Sequence, residues 1–170
     1  MPVKKRSPKL QFRPDDHESF MRLAIGAAQR GVQAGQTPFG ATIVKNGRVI
    51  CSVHNVVWKT LDITAHAEVH AIRTACRKLK TADLSGCIIY STCEPCPMCF
   101  SACHWARISK IYYGARIEDA QAAGFNELTI SNEQMRLQGG SPIEVIGDFL
   151  RDEAVELFRF WQHQHHHRVY

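Results

Sequence analysis

The sequence predicts an α/β chain with a five-stranded mixed sheet whose last two strands are parallel. Three observations carry this. Short apolar runs of strand composition alternate with longer runs whose apolar residues recur at helical spacing, an Asn46-Gly47 dipeptide joins two of the strand runs, and 28 residues (115–142) separate the last two. Asn-Gly accepts the positive φ of a two-residue hairpin turn, so the first pair is antiparallel. A parallel neighbour needs a crossover of a dozen or more residues, which the last gap supplies.

The elements follow in order. Pro14-Asp15-Asp16-His17-Glu18 opens a helix with acidic residues at its positive end. Phe20, Leu23, Ala24, Ala27 and Ala28 keep its apolar face as far as Ala34, and Gly35 stops it. The hairpin strands cover 39–45 and 48–53. From Thr64 to Leu79 the pattern is helical again, with Ala65, Val69, Ile72 and Cys76 on one face. Cys87-Ile88-Ile89-Tyr90-Ser91 is a short strand, and a helix begins at Pro97 and runs to about Trp105. Proline suits that first turn because the N–H it lacks would have had no intrahelical partner. Lys110 to Gly114 and Ile143 to Ile146 are the last two strands, with a helical stretch near Asp119 to Ala123 between them. Arg151 to His163, with Ala154, Leu157, Phe158 and Trp161 on one face, closes the chain.

At 170 residues and 45% hydrophobic content, the chain is long enough for one domain with its own core. Residues 15–170 read as that domain, with a C-terminal helix and tail, and 1–14 as a basic N-terminal tail. Lys4, Lys5, Arg6, Lys9 and Arg13 carry much of the net charge of +5, which is weak evidence for nucleic acid when concentrated in a terminal tail. No long apolar run and no leader pattern occurs, so a soluble cytoplasmic protein without a membrane partner is expected. Seven cysteines, an odd number, fit a reducing compartment better than a disulfide framework. Cys51, Cys76, Cys87 and Cys103 read as small buried hydrophobes.

The chemistry concentrates in 64–106. His66 is followed two residues later by Glu68, and 30 residues after His66 comes Cys96-Pro97-Met98-Cys99. His66, Cys96 and Cys99 are three ligands of the kinds zinc prefers. Catalytic zinc sites use three protein ligands and keep the fourth position for water, whereas structural sites are closed by four. Cys93 could supply a fourth and make a structural Cys₃His site. Glu68 argues against that reading, because a carboxylate beside the ligands is useful where water must lose a proton. Both halves of the cluster fall at helix N-termini, whose positive ends favour thiolates.

His66-Ala67-Glu68 and Pro95-Cys96-Pro97-Met98-Cys99 resemble the cytidine deaminase-like superfamily of zinc hydrolases, over roughly residues 16–170. The resemblance implies a three-layer α/β/α cytidine deaminase-like fold, one Zn²⁺ per chain, and Glu68 as the group that moves protons. Within the superfamily, His104-Trp105-Ala106-Arg107 and 119–125 look like bacterial guanine deaminases. That likeness implies that Trp105 lines the base pocket and that Asp119 helps shuttle protons. Other positions fit either purine branch of the superfamily: the resemblance implies that Phe39 packs on the base with Phe125 nearby, that Asn55 bonds its edge, and that the N–H of Ala67 holds a substrate oxygen. Terminal Tyr170 is similar to the aromatic chain end that reaches a neighbouring subunit's site in a domain-swapped homodimer of those enzymes. Ile63 stands where relatives carry proline, and 56–61 is one residue longer than in them. Hydrolysis of guanine to xanthine and ammonia is the activity implied. Residues 147–154 resemble tRNA adenosine deaminases instead, which makes adenosine-to-inosine deamination the main alternative. A guanine-related nucleoside, another aminopurine or a pterin is a further candidate substrate, and a catalytically idle, zinc-stabilised binding module is the alternative from another class.

Overall fold

The structure, a computed structural model, describes residues 13–170. The basic tail expected over 1–14 therefore falls, apart from its last two residues, outside the described part. Twelve elements follow: α1 (His17–Gln33), β1 (Gly40–Lys45), β2 (Arg48–His54), α2 (Val57–Thr60), α3 (Ala67–Leu79), β3 (Cys87–Cys93), α4 (Pro97–Trp105), β4 (Lys110–Ala115), α5 (Ile117–Ala122), α6 (Asn132–Gly139), β5 (Glu144–Ile146) and α7 (Arg151–Gln162). The strand order is β2-β1-β3-β4-β5. β1 pairs antiparallel with both β2 and β3, while β3, β4 and β5 run parallel, the β4–β5 pairing being the one the crossover length predicts.

Strand alternation splits the core into two faces. On β3 and β4 the fully buried Ile89 and Ile111 point to one side, where Ala67, Ala71, Phe100 and Cys103 of α3 and α4 cover them. Tyr90 and Tyr112 point to the other, stacked with ring centroids 5.1 Å apart under α1 and α7. A third cluster, with Ala115, Phe125, Ala154, Phe158 and Trp161, seals the sheet beyond the ends of β3 and β4. Three layers result. Among the described residues, no helix is long and apolar enough to cross a membrane.

Three departures from the sequence reading have local causes. Helix α3 begins at Ala67, not Thr64, because the Asp62 carboxylate accepts the Thr64 N–H (2.9 Å) and hydroxyl (2.6 Å) and holds 62–64 as a turn. His66 thereby becomes the extended N-cap. The crossover between β4 and β5 holds a second helix, α6, announced by a capping box in which Ser131 and Gln134 bond each other's backbone. The one-turn helix α2 is too short to leave a periodic signature.

Helix α1 lies so close to β1 that a Cβ on Gly40 would collide with the backbone oxygen of Ala24 and nitrogen of Ala28. Neither atom can swing aside. Gly40→Ala is expected to cost about 1–3 kcal/mol, read as a lower denaturation midpoint with an unchanged slope.

Candidate active site

Two helix N-termini meet at the site. His66 is the N-cap of α3 (φ −60°, ψ 159°) and Cys96 the N-cap of α4 (φ −61°, ψ 165°), each in extended backbone that aims its side chain ahead of the helix. Strand β3 delivers α4 through Glu94 and Pro95. The buried Glu94 carboxylate accepts the N–H groups of Asn132 (2.8 Å) and Ile117 (3.4 Å), the first residues of α6 and α5. The Asn132 amide in turn donates to the Pro95 carbonyl at 2.6 Å. The loop carrying Cys96 is thus pinned by the crossover helices, so the parallel topology positions the ligand.

Among the described residues, His66, Cys96 and Cys99 form the one group whose donor atoms lie close enough to hold a metal ion, all within 4.8 Å of each other. His66 Nδ1 is 3.6 Å from each sulfur. Around a tetrahedral ion with bonds of about 2.1 Å to nitrogen and 2.3 Å to sulfur, such atoms are about 3.6 Å apart. The donor set fits zinc in type and in spacing. The Cys96 thiol is pulled down to about 4, first by its hydrogen bond with Cys99 and then by His66. Cys99 is held well above its ordinary range by the same sharing. Cys93 does not join them: buried, it donates to the Arg116 carbonyl at 3.5 Å. Three candidate donors, not four, is the number a catalytic zinc site uses.

Glu68 lies in the first turn of α3 and is buried beneath the cluster. The Ser91 hydroxyl donates to its Oε1 at 2.8 Å. Burial first, and then the neighbouring Cys96 thiolate, raise its pKa, which makes it a readier proton acceptor than an exposed carboxylate. A cavity of about 270 Å³ opens over His66 and Cys96, with Phe125, Glu127 and Tyr170 in its wall. Beneath it, against Glu68 and Phe39, is an inner cavity of about 20 Å³.

The family model for the cytidine and deoxycytidylate deaminase zinc-binding region matches residues 14–115, a span that contains His66, Glu68, Cys96 and Cys99. The chain belongs to this deaminase family. It is 48% identical over 119 residues to guanine deaminase of Bacillus subtilis, covering 69% of this chain and 76% of that protein. It is 46% identical over 98 residues to the tRNA-specific adenosine deaminase of Aquifex aeolicus, covering 58% of this chain and 65% of that one. A solved guanine deaminase from Nitrosomonas europaea superposes with a TM-score of 0.81 at 29% identity, covering 92% of this chain and 88% of that one.

Within this deaminase site, Phe39 lines the inner cavity and packs edge-on against Phe125, 4.9 Å between centroids. Ala67 is fully buried at the first position of α3, where an N–H has no intrahelical acceptor. Asn55 is fully buried, and its Nδ2 donates to the Tyr170 hydroxyl at 2.7 Å. Tyr170, at the end of the chain, thus lies against this site.

Two expected residues lie elsewhere. Trp105 is 84% exposed and lines a different hollow, with Ile108 and Pro142. It is the last residue of α4, whose first turn carries the cysteines, and nine residues of helix carry it about 13 Å along the axis. Asp119 caps α5: it accepts the Arg116 N–H at 2.8 Å and pairs with the Arg151 guanidinium at 2.6 Å. Its carboxylate lines neither cavity.

The carboxylate that does face the site is Glu127, which the sequence reading missed. It lies in the wall of both cavities, two residues after Phe125. Burial first, then repulsion from the Cys96 thiolate, pushes its pKa up to about 7. The only sequence signal was an acidic residue in the 123–131 loop.

The ligand count is open to a metal assay. Cys93→Ala should keep one zinc per chain by mass spectrometry of the purified protein, whereas Cys96→Ser and Cys99→Ser should each lose it.

Proposed function

We propose that the chain is a zinc-dependent aminohydrolase that converts guanine to xanthine and ammonia. The observation that carries the choice of a free base is the roof: Tyr170 lies over the cluster, its ring 5.5 Å from His66 and 5.7 Å from Phe125. A pocket roofed by the chain end suits a small planar molecule better than a nucleotide joined to a polymer on both sides. The 48% identity to a guanine deaminase supports the same reading.

His66, Cys96 and Cys99 would hold the zinc ion, which when bound lowers the pKa of water and polarises it. Glu68 takes a proton from the attacking water, whose oxygen adds to the ring carbon bearing the amino group. It passes that proton to the ring nitrogen and helps deliver a second to the departing amine. The carbon–nitrogen bond breaks, ammonia leaves and a carbonyl remains. The Ser91 hydroxyl fixes one Glu68 oxygen, leaving the other to work. Glu127, whose pKa burial pushes up to about 7, lines both cavities and serves as a second proton carrier. Phe39 and Phe125, packed on each other, supply an apolar wall for the base, and Asn55 and the Ala67 N–H meet its polar edge.

All seven cysteines are free, which fits a cytoplasmic enzyme. Exposed Trp105, together with Met98, Leu128 and Leu137, supplies apolar surface for a homodimer. The second reading, deamination of adenosine in tRNA, is favoured by the 46% identity to the Aquifex enzyme.

Ammonia release by the zinc-loaded protein from guanine, guanosine, adenine and a tRNA anticodon stem-loop decides between them. Guanine should be the fast substrate, and inosine in the stem-loop with silence on guanine would replace this reading by the second. Glu68→Gln should keep its zinc and lose about 10²–10⁴-fold in kcat. Full turnover in that variant would remove Glu68 from the reaction.

A further inference from the structure

Asn55 lies at the seam between the sheet and the helix that carries the reacting groups. It follows the last residue of β2, and the chain on either side of it is tied to the chain on either side of His66. The N–H of Val56 donates to the carbonyl of Ala65 at 3.1 Å. On the other side the tie is made by a side chain, since His70 Nδ1 donates to the carbonyl of His54 at 2.9 Å. A carbonyl oxygen only accepts, so the ring proton sits on Nδ1. His70 is one turn beyond His66 in α3, and its own N–H bonds the His66 carbonyl at 2.8 Å. One turn of helix therefore carries the candidate metal donor His66, the Ala67 N–H, Glu68 and the group that holds the end of β2.

His54 acts from the strand side. Its Nδ1 donates to the Asn55 carbonyl at 2.6 Å. Its ring lies against bare backbone of α1, where a Cβ on Gly31 would come within 2.7 Å of the ring Cγ. The Asn55 N–H donates to the Phe39 carbonyl at 3.0 Å, and Asn55 Oδ1 accepts the Val57 N–H at 3.0 Å. The backbone groups and Oδ1 of Asn55 are thus all committed to the scaffold. Nδ2, with two hydrogens and one partner in Tyr170, is the group left to read a ligand.

We infer that His54 and His70 are positioning residues that fix Asn55 relative to Glu68 and the metal donors, His70 by joining β2 to α3 and His54 by holding the Asn55 carbonyl. Neither lines either cavity, and both act through Asn55. The reading of a base edge by Asn55 rests on the function proposed above, whereas the placement of its side chain does not.

The test uses the zinc-loaded full-length protein. His70→Leu keeps the bulk and removes the donor, His70→Asn places an amide N–H where Nδ1 stands, and His70→Gln places it a bond further out. Far-ultraviolet circular dichroism and zinc content check each variant, and His70→Gln replaces His70→Leu should that one misfold. With guanine, kcat/KM should fall about three- to tenfold in His70→Leu, for the loss of one hydrogen bond, and recover in His70→Asn. His54→Ala should lower it in the same way. In an Asn55→Ala background, His70→Leu should cost less than about twofold, because the residue it positions is gone. Equal losses in both backgrounds, or no loss in either, overturn the inference. Nitrogen-15 NMR without substrate separates it from the substrate reading. The Asn55 side-chain amide signals, identified by their absence in Asn55→Ala, should move in His70→Leu and return in His70→Asn. Unmoved signals overturn the positioning role. Moved signals in a protein that releases no ammonia from guanine leave the positioning in place and remove the substrate.

Discussion

Everything in this molecule is arranged around two helix N-termini brought face to face. A helix start carries about half a positive charge and several N–H groups without intrahelical partners. Placing two of them together makes a region where anionic groups are stabilised. Cys96, Cys99 and Glu68 collect there, and the low pKa of Cys96 shows the effect of its close neighbours. The cost is mutual repulsion of the helix ends and burial of polar groups. Glu94 offsets part of it by answering the first N–H of two further helices. The parallel sheet is the means of alignment, since β3 and β4 end side by side where α4 and α5 begin.

Most of this architecture was legible in the chain. The Asn46-Gly47 turn marked the β1–β2 hairpin, and the crossover length marked the parallel pair. The spacing of His66, Glu68, Cys96 and Cys99 marked the cluster, and tertiary structure added that Cys93 turns away. What escaped the sequence had no periodic or compositional signal. Glu127 is a single carboxylate in a loop, and only the fold shows that the loop borders the pocket. Asp119 stood at a residue position that family likeness made attractive, but its place in α5 commits both oxygens to Arg116 and Arg151. Trp105 was misplaced because a helix that starts at the site ends far from it. The start of α3 was misjudged because the side chain of Asp62, not the apolar pattern, sets it. The capping box of Ser131 and Gln134 was readable and went unread.

The pocket combines a floor of regular elements with a roof formed by the end of the chain. The floor rests on β3 and on the first turns of α3 and α4, where Ser91, Glu68 and Cys99 are all buried. The roof is the end of the chain, attached by ring faces and two hydroxyl contacts. Such a division places the candidate reacting groups on regular elements packed into the core.

With His66, Cys96 and Cys99 as the donors, three protein atoms, and not four, are expected to bind the metal. Zinc-edge X-ray absorption of the loaded protein tests it most directly. Two sulfurs at about 2.3 Å and two lighter atoms at about 2.0–2.1 Å are expected for His66, Cys96, Cys99 and one open position filled by solvent. Three sulfurs and one nitrogen would bring Cys93 into the shell, close the site and contradict the catalytic reading.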